Sequence, residues 1–178
     1  SGKTTLLRLM GGLQTPSTGR ITLDDRDLST YPRRMLARRM ATVPQETYLA
    51  FDYSVLEIVL MGRSPHLPTF AIEGPTDLRY AADALAATGT LNLAARSFTT
   101  LSGGEKQRVV IASALAQLYT ADETEPGSHV LLLDEPTASL DLAYQLEIAS
   151  LIRKLNAMGI AILISTHDLT LAAAICRD

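Results

Sequence analysis

Val130-Leu-Leu-Leu133 runs directly into Asp134-Glu135. Four consecutive aliphatic residues leave a strand no solvent face, which is the pattern of a strand covered on both sides in a parallel sheet. Two acidic side chains at the end of such a strand need a reason, because an unpaired carboxylate at a core edge is costly to desolvate. One reading is a pair of solvated carboxylates. The other is a metal and a water: Asp134 holds Mg2+ through its hydration shell, and Glu135 polarises the water that attacks a γ-phosphate.

The rest of the chain repeats this alternation of strand and helix. Lys3 to Leu13 carries apolar residues at 6, 7, 9, 10 and 13, a helical stripe that Gly11-Gly12 and Pro16 bring to an end. Arg20-Ile-Thr-Leu23 alternates as a short half-exposed strand. Arg33 to Met40 reads as a short basic helix, and Ala41-Thr-Val-Pro44 as a buried strand with Gln45 at its end. Ser54 and Glu57 form a capping box for a helix reaching Gly62. Residues 63–76 read as loop, and a helix from Asp77 to Thr88 is expected to bury Leu78, Ala81, Ala82 and Leu85. A strongly apolar helix follows Leu101-Ser-Gly-Gly-Glu105 and reaches Leu118, after which Tyr119 to His129 is a polar loop. Asp141 is a candidate cap for a helix to Met158, and Ile160 to Ile164 is a second buried strand with His167 just past it. The alternation implies an α/β layer structure with right-handed crossovers. Such sheets bind ligands beyond the carboxyl ends of their strands, where Gln45, Asp134, Glu135 and His167 fall.

The 178 residues, 47% hydrophobic and 20% charged, suit one globular domain rather than a disordered chain. A net charge of −3 supplies no global basic field for nucleic acid. No apolar run approaches the roughly 20 residues that span a bilayer, and the start lacks the pattern of a signal peptide. Both ends read as truncated. The single cysteine, Cys176, excludes an intrachain disulfide and reads as a small hydrophobe on a helix. His66 and His129 lie on loops with no visible partner and receive no role.

Ser1-Gly2-Lys3-Thr4-Thr5 before a helix has the form of the last part of a P-loop. Bare amides at a helix amino end attract phosphate, Lys3 adds a point charge and Thr4 can ligate Mg2+. An ordinary capped helix start is the competing reading. Leu101-Ser-Gly-Gly-Glu105 also reads two ways. Ser102 and Glu105 suit a capping box, yet Gly103 and Gly104 weaken a first turn by roughly 1 kcal/mol each relative to Ala. They suit a place where the backbone approaches an anion closely.

In order and spacing, Gly-Lys-Thr-Thr, Gln45, Leu-Ser-Gly-Gly-Glu, Leu-Leu-Leu-Asp-Glu-Pro, Ser139-Leu-Asp141 and His167 resemble the motif series of ATP-binding cassette (ABC) ATPases, across essentially the whole chain. The resemblance implies a P-loop NTPase, RecA-like α/β core with a parallel sheet, formed by residues 1–47 and 107–178. It implies an inserted α-helical subdomain at 48–106. It also implies an ATP sandwich of two copies with ATP and Mg2+ as ligands. Ser1, Gly2, Lys3, Thr4, Thr5, Gln45, Asp134, Glu135 and His167 would act in cis, and Ser102, Gly103 and Gly104 on the partner's nucleotide. Gln45 would sense Mg2+ and the water, His167 would hold the γ-phosphate, and Asp141 would organise the dimer seam. Glu105 stands where the family more usually has Gln, a change that keeps the capping geometry. The first P-loop glycine, the amino-terminal strands with their adenine-stacking aromatic, and the carboxy-terminal strands are absent from the sequence.

Tyr53-Ser-Val-Leu-Glu-Ile-Val-Leu-Met-Gly-Arg-Ser-Pro-His66 is similar to the corresponding segment of bacterial importers of iron-siderophores, haem and cobalamin, and the 119–129 loop resembles the haem branch. This implies an ATP-hydrolysing subunit peripheral to the cytoplasmic face of a membrane. Its partners would be transmembrane permease subunits and, indirectly, a periplasmic or surface binding protein. A cassette ATPase acting on nucleic acid or ribosomes is the alternative. Such proteins usually carry coiled-coil, zinc-bearing or basic insertions, and the sequence has none. A non-catalytic cassette would have lost Glu135 or His167, and both are present.

Overall fold

The computed structural model describes residues 2–45, 51–120, 127–138 and 140–176. Ser1, Ser139, residues 121–126 of the polar loop and the 47/48 boundary lie outside the described residues.

The centre of the molecule is a parallel sheet of order β3 (Met40–Val43), β4 (Val130–Asp134) and β5 (Ala161–Ser165). In register, Val43 faces Leu133 and Asp134 faces Ser165. Because side chains alternate along a strand, Ala41, Val43, Leu131 and Leu133 enter the main core on one face, joined by Ile162 and Ile164. On the other face Leu132 lies beneath helix α1 (Lys3–Met10), and Thr42 lies near its carboxyl end but stays exposed. Gly11 at the carboxyl end of α1 allows this approach, since a Cβ there would sit 3.3 Å from Leu132 Cδ1 and 3.4 Å from Thr42 Oγ1. Asp134 and Ser165 share the face of Leu132, so the alternation directs them toward the side where α1 begins.

The main core covers the opposite face. Helix α5 (Gly103–Leu118) contributes Val109, Ile111, Ala112 and Leu115, and α6 (Leu142–Ala157) contributes Ile148, Ile152 and Leu155. Against α5 pack α3 (Val55–Met61) and α4 (Pro75–Ala87). The capping box expected at α3 forms in full: Glu57 N–H donates to Ser54 Oγ at 3.3 Å and Ser54 N–H to Glu57 Oε2 at 2.7 Å. Helix α2 (Arg33–Arg39) leads into β3, and α7 (Leu169–Ile175) follows β5. Among the described residues no helix is long and apolar enough to cross a membrane.

Several expectations need correction. The strand expected over Arg20–Leu23 shortens to β1 (Thr22–Leu23), which pairs antiparallel with β2 (Arg26–Asp27). Asp24 and Asp25 turn the hairpin at φ 49° and 60°, a left-handed pair that aspartate tolerates. Ser128 stabilises the turn through side-chain and backbone bonds that hold the Asp24 carboxyl below its ordinary pKa range. Residues 63–76 are not all loop: Ser64–His66 form a 3-10 turn and α4 starts at Pro75, a first-turn proline that loses no helical hydrogen bond. Leu78 is 44% exposed and Ala82 only half-buried, because the helix turns Ala81, Ala84 and Leu85 toward the core instead. His66 does have a partner, the carbonyl of Gln117 at 2.8 Å, and burial pushes its imidazole pKa below the ordinary value. Burial, followed by nearby Arg39, lowers His129 in the same way. Cys176 is exposed just past α7 rather than packed on a helix.

Arg63 is a feature that sequence patterning did not single out. It is 3% exposed and joins α3, α4 and α5. Its Nε donates to Asp77 Oδ1 at 3.0 Å, its Nη1 to the carbonyls of Ala116 and Tyr119, and Tyr80 covers its plane at 4.7 Å. A guanidinium on the last carbonyls of α5 satisfies groups that a helix end leaves open. Burial opposes ionisation of Asp77, but the Gly74 N–H and Arg63 outweigh it and hold the carboxyl below its ordinary pKa. Asp77→Ala would leave the guanidinium buried without its counter-charge, so denaturant unfolding should show a loss of roughly 3–5 kcal/mol. A loss under about 1 kcal/mol, the scale of an exposed pair, would mean that the pair is not buried in solution.

Candidate functional site

Glu135 follows β4 with φ 47°, a left-handed conformation that is uncommon outside glycine. Its N–H donates to the Ser165 carbonyl at 2.9 Å, continuing the β4–β5 pairing by one residue. Its side chain is 18% exposed and bracketed: Oε1 lies 3.3 Å from Lys3 Nζ and Oε2 lies 3.2 Å from His167 Nδ1. Three residues far apart in the chain therefore meet at the carboxyl ends of β4 and β5. Asp134 beside them is 6% exposed and accepts a hydrogen bond from Ser165 Oγ at 2.6 Å through Oδ1. Gln45 is exposed beyond β3, at the same edge of the sheet.

The start of α1 is not an ordinary capped one. Gly2 precedes it at φ 79°, no side chain caps it, and no acidic residue occupies its first turn. Instead Lys3 stands at the first helical position, where the positive end of the helix dipole disfavours a cation. Thr4 and Thr5 are exposed. A helix start without a side-chain cap, a cation at its positive end and exposed hydroxyls together suit an anion.

The Ser102 loop lies at the amino end of α5. Glu105 N–H donates to Ser102 Oγ at 3.3 Å and Ser102 N–H to Glu105 Oε2 at 2.8 Å, so the capping box forms. The Ser102 N–H, foremost, and the Ser102 hydroxyl hold the Glu105 carboxyl below its ordinary pKa. Ser102 and Gly103 are exposed, whereas Gly104 is buried. A Cβ on Gly104 would collide with the Tyr144 ring of α6, and one on Gly103 would lie 3.3 Å from Leu140 Cδ2. Helix packing thus gives Gly104 a requirement of its own, compatible with the anion contact that sequence reasoning assigned to its backbone. Asp141 caps α6 by accepting from Tyr144 N–H at 3.1 Å, so the Asp141 cap and the Gly104 contact bear on the same residue.

Sequence reasoning missed Ser165. The signal was a lone hydroxyl closing the aliphatic run Ile162-Leu-Ile164, two residues before His167.

The donor set also suits Mg2+. A buried carboxylate has one oxygen bonded to Ser165 and no partner for Oδ2 among the described residues, and an exposed threonine hydroxyl opens α1. Mg2+ takes one or two protein oxygens and draws the remaining ones from water and phosphate.

A parallel sheet with a lysine-bearing helix amino end and two carboxylates at its carboxyl edge defines a P-loop nucleotide-binding domain of the α/β class. The ABC transporter family matches residues 1–138, and the chain belongs to that family. The hemin import ATP-binding protein HmuV of Myxococcus xanthus is 46% identical over 173 residues, covering 97% of this chain and 63% of that protein. The cobalamin import ATP-binding protein BtuD of Halobacterium salinarum is 42% identical over 179 residues, covering 100% of this chain and 42% of that protein. A solved inward-facing ABC transporter, assigned to the metal-chelate type, superposes with TM-score 0.81 at 36% identity, covering 98% of this chain and 62% of that one. The chain thus spans less than two thirds of the length of these relatives.

Gly104→Ala tests how α5 meets α6. Displacing the Tyr144 ring should cost roughly 1–3 kcal/mol, as overpacking does, measurable by thermal or denaturant unfolding. Unchanged stability would mean that the two helices are spaced more widely than described.

Proposed function

We propose that the chain is the nucleotide-binding and ATP-hydrolysing part of an ABC importer, and that it energises uptake of an iron chelate, haem or cobalamin. The bracketing of Glu135 by Lys3 and His167, next to buried Asp134, is the observation that carries this reading. The cargo class draws support from relatives named as hemin and cobalamin import proteins. Substrate choice itself belongs to the permease and binding protein.

The α1 amides of Gly2 to Thr5, with Ser1 ahead of them, cradle the ATP phosphates, and Lys3 neutralises them. Thr4, Asp134 and Gln45 would hold Mg2+, which supplies charge neutralisation on the phosphates when bound. Lys3 has a long stem and now pairs with Glu135. A triphosphate on the α1 amides competes for the same ammonium and, by drawing it away, leaves Glu135 free as a base toward water. His167 Nδ1 orients the carboxylate from the other side, leaving Nε2 for the γ-phosphate.

Residues 1–47 and 107–178 act as the nucleotide-binding core, and 48–106 as the inserted helical subdomain. Two copies form a homodimer. In it the exposed Ser102 hydroxyl and the amides of Gly103 and Gly104 engage the partner's nucleotide, with Asp141 at the seam. Permease subunits hold the dimer at the cytoplasmic face of a membrane, and a substrate-binding protein acts through them.

In the full-length protein, Glu135→Gln should retain ATP binding, accumulate a nucleotide-bound dimer and lower turnover by roughly 10^2-fold or more, as loss of a general base does. Wild-type turnover in that variant would remove Glu135 from the base role. Ser102→Arg should prevent ATP-dependent dimerisation, followed by light scattering, while leaving nucleotide affinity of the monomer intact. Lost monomer affinity would place Ser102 in cis instead.

A further inference from the structure

Ser165 ends β5 opposite Asp134, its Cα partner in the parallel register. It is 7% exposed at the end of an otherwise aliphatic strand, so its hydroxyl requires an acceptor. The acceptor is Asp134 Oδ1 at 2.6 Å, a short bond to a charged group. Its backbone carbonyl accepts from Glu135 N–H at 2.9 Å. One residue therefore fixes both acidic residues, by separate groups, two positions before the histidine that faces Glu135.

The chemistry of the hydroxyl matters. A neutral donor orients a carboxylate without cancelling its charge, whereas a lysine or arginine would pair with it. Occupying Oδ1 limits Asp134 to offering one oxygen, Oδ2, which has no partner among the described residues. We propose that Ser165 is a positioning residue for the nucleotide-bound Mg2+: its hydroxyl locks Asp134 so that one oxygen alone faces the cation. This rests on the reading of Asp134 as a Mg2+ residue. Without the hydroxyl, Asp134 can rotate within its buried site and Oδ1 competes with Oδ2, so the energy gained from Mg2+ falls while phosphate binding by α1 persists.

The test compares Ser165→Thr with Ser165→Val in the full-length protein, since these two differ by one hydroxyl in place of a methyl. Ser165→Ala adds a comparison without extra volume. Affinity for a non-hydrolysable ATP analogue is measured in MgCl2 and in EDTA. Ser165→Val and Ser165→Ala should lose roughly 10- to 100-fold of the Mg2+-supported affinity, as removal of a residue that orients a metal ligand does. Their affinity in EDTA should not change, and Ser165→Thr should behave as wild type. Equal affinity of Ser165→Thr and Ser165→Val in MgCl2 overturns the proposal, and so does an equal loss in MgCl2 and EDTA, which marks a structural role only. Asp134→Asn separates the two levels. If it keeps the Mg2+ increment, the reading of Asp134 itself fails. If it loses the increment while Ser165→Val keeps it, only the role of Ser165 fails.

Discussion

The parallel pairing of β4 with β5 is the constraint from which the site follows. A shift of one residue in that register would turn either Asp134 or Ser165 to the opposite face, into the core of Leu133 and Ile164. With the observed register, the two polar side chains meet on the α1 face. Glu135 continues the pairing for one residue, and His167 arrives within 3.2 Å of it. Aliphatic packing on one face thus fixes polar geometry on the other. The left-handed backbone at Glu135 is sustained by the same pairing, which holds its N–H on the Ser165 carbonyl.

Helix α5 ties the second candidate surface to this sheet. Its amino end carries the Ser102–Glu105 capping box, its middle fills the core, and its carboxyl end is held by Arg63. Near that end Gln117 Nε2 donates to the carbonyls of Ala37 and Met40, where α2 passes into β3. Helix α5 thus spans from the Ser102 loop to the strand that ends beside Gln45, in direct contact with it.

The parallel layers were legible in the sequence because strands of a covered sheet carry apolar runs: Val130–Leu133 and Ile160–Ile164 were placed within a residue of β4 and β5, although β5, at the sheet edge, is only partly buried where a fully buried strand was expected. The caps at Ser54, Ser102 and Asp141 were legible because a cap depends on local spacing alone. What escaped depends on contacts between distant segments. Ser165 looked like a strand end until register set it against Asp134. Arg63 lay in a stretch read as loop until α4 and α5 enclosed it, and the packing demand on Gly104 was invisible because Tyr144 lies 40 positions away in the chain. The second strand of the hairpin escaped because β2 is two residues long, too short for a periodic signal.

The central claim is that Lys3, Asp134, Glu135 and His167 form one phosphate-handling edge, with Lys3 passing from Glu135 to the nucleotide. The most direct measurement is a crystal structure of the full-length protein with Mg2+ and a non-hydrolysable ATP analogue. The account predicts Lys3 Nζ on the terminal phosphates, the 3.3 Å contact with Glu135 broken, and Asp134 facing the metal. A nucleotide bound elsewhere, with Lys3 still paired to Glu135, would contradict it.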